Sequence, residues 1–183
     1  MDSSKENKIL YFEYVIFKLS EWIKEIYPQL SHPEYTFGKL KALKMLFFVA
    51  AVDATEENHK LLSIFDNFYA MSYGPVESDL YNSILHKCTK YYDIQDRITL
   101  HKNNGEIDIF NSIPIDIKKA IDENIELLKS KNHIIVDLPP YKLVDISHKW
   151  PVWVNSMNIA NVLGKRSEPM PTEKIIKSKK YYD

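Results

Sequence analysis

The amino-acid sequence predicts a compact, mainly helical α+β domain of about six helices with a small antiparallel β-hairpin. Apolar residues recur at steps of three and four through several long stretches, which is the spacing of one helix face. One short stretch alternates apolar and polar residues instead, as the strands of a hairpin do. The chain has 183 residues, of which 45% are hydrophobic, so it can build the core of one domain.

Residues 6–27 are predicted to form the first helix. Charged residues separate its apolar positions, which are Ile9, Phe12, Ile16, Leu19, Ile23 and Ile26. The helix should end before Pro28, because the residue preceding a proline disfavours the helical conformation. One apolar face must be covered, and the periodicity leaves open whether the domain core or a binding partner covers it.

A second helix is predicted over the stretch KLKALKMLFFVAA at 39–51. Its lysines, Lys39, Lys41 and Lys44, lie mostly away from an apolar stripe that consists of Leu40, Leu43, Phe47, Ala50 and Ala51. The second half of the stretch is apolar on all sides. This helix is therefore expected to lie at the centre of the fold.

The stretch FDNFYAMSYGPVESDLY at 65–81 is predicted to form a sharp corner. It begins with an aromatic run suited to a buried surface, made up of Phe65, Phe68, Tyr69 and Tyr73. The run ends at Gly74-Pro75, where glycine tolerates unusual backbone angles and proline suits the first turn of a helix. An amphipathic helix should follow over about 75–89, with an apolar face formed by Val76, Leu80 and Ile84.

A hairpin is predicted after this helix. Ile98 and Leu100 alternate with polar residues, as do Ile107 and Ile109, and the intervening Asn103-Asn104-Gly105 has the composition of a turn. This arrangement would pair a strand near residue 99 with a strand near residue 108.

Prolines punctuate the rest of the chain. One helix should begin after Pro114, and a shorter helix, YKLVDISHKW, should follow Pro139-Pro140 and be closed by Pro151. Residues 1–164 would then form a single domain. Residues 165–183 are expected to be a basic, mobile tail with at most one short helix from Pro171, because their apolar content is too low to demand burial.

Charge and cysteine content restrict the class of protein. The 24 basic and 25 acidic residues nearly cancel, so there is no overall signal for binding nucleic acid or an anionic membrane. The single cysteine, Cys88, excludes an intramolecular disulfide and suits a reducing cytosol. The N-terminus resembles neither a signal peptide nor a membrane span. We therefore expect a soluble cytoplasmic protein.

Candidate catalytic groups are few. His86 and Cys88 are two positions apart, so they point to different faces of a helix and Cys88 is better explained as a buried cysteine. Asp66 with Glu77 or Asp79 is a conceivable carboxylate pair, although acidic residues are ordinary at a helix N-terminus. No common metal-binding or phosphate-binding motif occurs. The sequence predicts no catalytic residue, no metal and no cofactor.

His148 is the most suggestive histidine. Asp145 lies three positions before it, and on one helix face its carboxylate could orient the imidazole. That arrangement needs a nucleophile or further metal ligands, and no unique candidate is present. The alternative is structural: Ser147 and His148 form hydrogen bonds at a helix end while Trp150 and Trp153 pack into the core.

Three blocks in this order resemble the Panacea domain family, also called SocA-like, which includes phage-associated proteins. The blocks are KLKALKMLFFVAA at 39–51, FYAMSYGPVESDLYN at 68–82 and LVDISHKWPVW at 143–153. The first block matches at Leu40, Leu43 and Phe47. The two later blocks match at Tyr73, Gly74, Pro75, Val76, Leu80, Tyr81, Ser147, His148 and Trp153.

The resemblance implies a non-enzymatic antitoxin that neutralises a cognate toxin protein by direct binding. The matched residues of the two later blocks would then support the partner-binding surface by holding the corner in place. Other readings stay open: an adaptor that delivers the toxin to an ATP-dependent protease complex, a phage-derived regulatory protein that binds nucleic acid, and an enzyme that uses His148 with Asp145. The oligomeric state is not predicted.

Overall fold

The computed structural model describes residues 3–102 and 107–183. The α-helices are α1 (Ser3–Ile26), α2 (Lys39–Ala51), α3 (Lys60–Ile64), α4 (Ser78–Leu85), α5 (Ile115–Lys131), α6 (Pro140–His148), α7 (Pro151–Val162) and α8 (Thr172–Lys177). The strands are β1 (Phe68–Met71), β2 (Gly74–Glu77), β3 (Tyr92–Ile94), β4 (Thr99–His101) and β5 (Glu168–Pro169). One antiparallel sheet has the order β2-β1-β5, and β3 pairs with β4. The predicted fold class, mainly α with a small antiparallel β component, is confirmed.

Helix α2 lies at the centre of the molecule, as its composition predicts. Every residue from Met45 to Ala51 is at most 1% exposed, and the helix contacts α5, α6 and β2. The expectation that its lysines lie mostly away from the buried side is wrong for Lys41 and Lys44, which are 4% and 0% exposed. A helix that is covered on every side buries its polar positions together with its apolar stripe.

Helix α1 belongs to the core. Its apolar positions Ile9, Phe12, Ile16, Leu19 and Ile23 are each at most 1% exposed, and it ends before Pro28 as predicted. The buried Glu13 carboxylate accepts hydrogen bonds from the backbone N–H groups of Lys90, Tyr91 and Tyr92 at 2.7–3.0 Å. These bonds attach α1 to the start of β3.

The 65–81 corner is a β-hairpin followed by a helix. Strands β1 and β2 pair through a two-residue turn at Ser72 and Tyr73, so the prediction that a helix begins near residue 75 is wrong. Pro75 fits this strand because β2 is at the edge of the sheet, where a missing N–H donor is tolerated. Helix α4 begins at Ser78, and the Glu77 carboxylate caps it by accepting the Leu80 N–H at 2.8 Å.

The second hairpin lies earlier in the chain than predicted. Strand β4 pairs back with β3, with Tyr92 opposite His101, while residues Ile107–Ser112 form a 3-10 helix in place of a strand. The predicted turn, Asn103-Asn104-Gly105, lies outside the described residues. The bonds from Glu13 hold the start of β3 in place, and local alternation gives no sign of that contact.

Helices α3 and α7 were not predicted. Pro151 was expected only to close α6, but it is also the first residue of α7. A proline fits there because the first N–H groups of a helix need no intrahelical partner.

Within the described residues, no helix combines the length and apolarity required to cross a membrane.

The C-terminal segment packs on the core. Strand β5 pairs with β1, and Met170 and Ile175 are 1% and 0% exposed. The Trp150 indole Nε1 donates to the backbone oxygen of Tyr181 at 2.8 Å. The expectation that this segment has too little apolar content for burial is wrong, because a few well-placed apolar side chains and one added strand are enough to dock it.

Candidate functional site

The three sequence blocks meet at the tip of the β1–β2 hairpin. From α2, the Lys44 Nζ donates to the backbone oxygen of Pro75 at 2.6 Å. From α7, the Trp153 Nε1 donates to the backbone oxygen of Met71 at 3.0 Å. Two distant helices therefore hold the two sides of one turn.

Gly74 lies where both backbone angle and space exclude a side chain. Its φ is +91°, in the region that favours glycine. A Cβ atom at this position would lie 2.3 Å from the Ser147 Oγ and 3.0 Å from the Lys44 Cε. The close approach of α2, β2 and α6 therefore depends on the glycine.

Lys44 belongs to the candidate site, although the sequence pattern did not single it out. It is fully buried, and burial lowers the pKa of its amine to about 7. Charged or neutral, the amine can donate to the Pro75 oxygen. The sequence does contain one indication that Lys44 is buried. It lies between Leu43 and Met45, next to a segment that is apolar on all sides.

His148 packs against Trp153. The two rings are stacked with their centroids 3.7 Å apart and their planes 11° apart. Burial, with Lys44 nearby, holds the pKa of His148 below its usual value. The imidazole is thus favoured in its neutral form, in which it stacks on the indole that holds the turn.

The residues of the His148 enzyme hypothesis do not form a relay. No hydrogen bond joins Asp145 to His148 among the described residues, and the Asp145 carboxylate lies 3.9 Å from the Lys142 ammonium. The Ser147 hydroxyl is buried and donates to the backbone oxygen of Val144 at 2.8 Å. Ser147 and Trp150 behave as the structural alternative expects, with one bonded at the helix end and the other in the core. The alternative is incomplete for His148, because among the described residues its Nε2 is buried without a hydrogen-bond partner and its ring stacks on Trp153 instead.

The remaining motif residues separate into core and surface positions. Val76 and Leu80 are 6% and 1% exposed and belong to the core. Tyr81 is half-buried, with the Lys39 ammonium 5.7 Å from its ring centroid. Tyr73, at the turn, is 69% exposed and does not share the burial predicted for the aromatic run. The motif therefore presents Tyr73 at the exposed tip of a hairpin whose second strand, β2, is buried throughout.

A groove of about 540 Å³ opens beside this tip. Helix α2, the hairpin, α4 and the segment before β5 all contribute to its walls. Its surface is mainly apolar, and its lining includes Tyr73, Val76 and Tyr81 from the motif. A concave apolar surface of this size is typical of a binding site.

The acidic residues Asp66, Glu77 and Asp79 do come together, around a lysine from α1. The Lys8 Nζ lies 2.7, 2.8 and 2.9 Å from their carboxylate oxygens. Burial disfavours the charged form of Lys8. The hydrogen bonds to the three carboxylates favour that form by more, so the pKa of Lys8 is raised. An ammonium thus occupies the centre of the cluster, and its visible role is to join α1 to the hairpin and α4.

Comparison with known proteins assigns the family. The family model described as "Antitoxin SocA-like, Panacea domain" matches residues 43–154, more than half of the 183-residue chain. The matched region includes Lys44, the β1–β2 hairpin, His148 and Trp153. No curated protein and no solved structure matches the chain.

The family match supports an antitoxin-type role with a protein as partner, and the family is not a known enzyme family. The chain belongs to the antitoxin SocA-like, Panacea-domain family.

Proposed function

We propose that this protein is an antitoxin that neutralises a cognate protein toxin by binding it directly in the cytoplasm. The observation that carries this proposal is the family match over residues 43–154, which contains the whole corner together with Lys44 and Trp153, the two side chains that hold it. Direct binding requires an accessible surface, and the groove beside Tyr73 supplies a concave apolar one.

The packing of the polar residues at the corner also favours binding over catalysis. Lys44 and Ser147 are fully buried, and each is hydrogen-bonded to a backbone oxygen. The bond from Lys44 to Pro75 stabilises the backbone beside the turn, and the bond from Ser147 to Val144 lies within α6. A rigid turn lowers the entropy lost when a partner binds to it.

The test is growth rescue followed by isolation of the complex. The adjacent open reading frame is expressed from an inducible promoter, with and without this protein, and each protein is then used to pull down the other. Direct neutralisation predicts restored growth, a stable complex and an unchanged amount of toxin. Rescue with rapid loss of the toxin would identify a proteolytic adaptor instead, and a harmless neighbour that forms no complex would remove the proposal.

A further inference from the structure

We infer that the groove beside Tyr73 is where the toxin docks, and that it receives an apolar or aromatic side chain carried next to a carboxylate. The partner segment is therefore amphipathic and acidic. This inference rests on the proposed function and adds to it the surface used and the chemistry of the segment that occupies it.

The floor of the groove is apolar and already ordered. Leu43 and Val76 are 2% and 6% exposed, and Leu40 beside them is half-buried. A volume of about 540 Å³ is enough for one or two large side chains of a partner. Filling the groove would remove its apolar surface from water, and that removal is the main favourable term in protein association.

Tyr73 has the exposure and support expected of a binding hot spot. Its side chain is 69% exposed, yet the turn that carries it is held by Lys44 on one side and Trp153 on the other. Tyrosine is enriched among hot spots because it offers a large amphipathic surface with few rotatable bonds. Tyr81 adds a second aromatic ring to the same groove.

The charge around the groove selects an acidic partner. Lys39 and Arg166 are the charged residues of the lining, and no carboxylate belongs to it. Arg166 is exposed and has no ion pair among the described residues. Lys39 pairs with Asp96 at 2.6 Å, but the Asp96 side chain is 82% exposed, so water screens this pair strongly. A carboxylate on the partner would complement both cations.

A second apolar surface lies on the outer face of α7 and around its C-terminus, where Ile159, Val162 and Leu163 are 41%, 86% and 56% exposed. Helix α7 has no charged residue, so nothing on this face selects the charge of a partner. The groove, by contrast, combines concave shape, motif residues and charge.

The first experiment uses anilinonaphthalene sulfonate, an aromatic anion with the chemistry inferred for the partner. Binding to the full chain is followed by fluorescence for wild type, Tyr73→Ala and Arg166→Glu. Each groove variant is expected to weaken binding about tenfold, through lost aromatic contact or reversed charge. The controls are Tyr141→Ala, where the tyrosine is 63% exposed outside the groove, and Lys165→Glu, next to Arg166 but not in the lining.

The second experiment measures toxin affinity and growth rescue with the same four variants and with Val162→Asp on α7. We expect the two groove variants to lose at least about tenfold in affinity, while the controls and Val162→Asp bind like wild type. Thermal midpoints close to wild type show that each variant is folded.

The outcomes separate this inference from the proposed function. If wild type neutralises the toxin but the groove variants bind it as tightly as wild type, or only Val162→Asp loses affinity, the groove is not the docking surface. Equal dye binding by wild type and Arg166→Glu would overturn the inferred acidic chemistry. If wild type binds the dye in the groove yet neither binds nor neutralises the toxin, the proposed function fails, and the toxin is excluded as the occupant.

Discussion

At the scale of single residues, Gly74 connects backbone geometry to the packing of three elements. Its φ of +91° is strained for any residue with a side chain, and the Ser147 Oγ fills the space that a Cβ would need. Neither Ser147 nor Lys44 can easily move away, because both are fully buried. The free-energy cost of backbone strain and the cost of steric overlap with Ser147 should therefore add.

Gly74→Ala is expected to lower the free energy of unfolding by about 3 kcal/mol, as the sum of backbone strain and overpacking. Gly164→Ala is the matched control, since Gly164 also has a positive φ, +65°, but its Cβ would meet nothing within 4 Å. Only the strain, about 1 kcal/mol, should be lost there. Urea unfolding measures both values. Equal losses would show that the contact with Ser147 costs nothing.

At the scale of elements, the Lys8 cluster joins parts of the chain that are far apart in sequence. Lys8 belongs to α1, Glu77 ends β2 and Asp79 is in the first turn of α4. Glu77 is 0% exposed, so its charge depends on the ammonium of Lys8 and on the N–H of Leu80. A buried anion that loses its partner is strongly destabilising.

Lys8→Met is expected to lower the free energy of unfolding by about 3 kcal/mol or more, because Glu77 would be left buried without its counter-charge. The loss should shrink in acid, where protonation of the carboxylates removes their mutual repulsion. Denaturant unfolding at neutral and acidic pH measures both effects. Lys24→Met, an exposed position on the same helix, should change stability by less than about 0.5 kcal/mol. A Lys8→Met protein as stable as this control would show that the cluster contributes little.

At the scale of the whole molecule, segments outside the family match complete the same core. Helix α1 lies before residue 43 and strand β5 lies after residue 154, yet α1 is buried on every side over residues 12–16 and β5 extends the sheet of β1 and β2. These described segments therefore pack with the matched region as one unit around α2. Because burial lowers the pKa of Lys44, near the middle of α2, we expect the stability of that unit to depend on pH.

The titration of Lys44 should make the whole protein more stable as pH rises above neutral. Its pKa is about 7 in the fold, against an ordinary value of 10.5, so between these values the unfolded chain binds the proton and the folded chain does not. The free energy of unfolding then increases with pH by up to about 1.4 kcal/mol per unit, and the dependence vanishes below about pH 7.

Comparison of wild type with Lys44→Met isolates this contribution. Urea unfolding is measured from about pH 6 to about pH 10, and the difference in unfolding free energy between the two proteins should grow with pH in favour of wild type. Lys142→Met, at an exposed lysine, should follow the wild-type profile. Parallel profiles for wild type and Lys44→Met would show that Lys44 stays protonated in the fold.

Much of the architecture was accessible from the sequence alone. The spacing of Ile9, Phe12 and Ile16 predicted α1, and the apolar run after Lys44 predicted a central helix, because helical periodicity is a local property. The three motif blocks also indicated the corner and the family. Local patterns determined the fold class, most helices and the region of the site.

Only the tertiary structure decided how distant residues pair. The partners of Lys8, Glu13 and Lys44 are 31 to 79 residues away in sequence, so no local pattern distinguishes these buried charges from solvated ones. The same limit applies to Pro75, placed in an edge strand because β2 pairs with β1, and to Met170, buried because β5 pairs there. Periodicity shows which face of a segment must be covered. Which segment covers it depends on the free energy of folding of the whole chain, and that is not a local property.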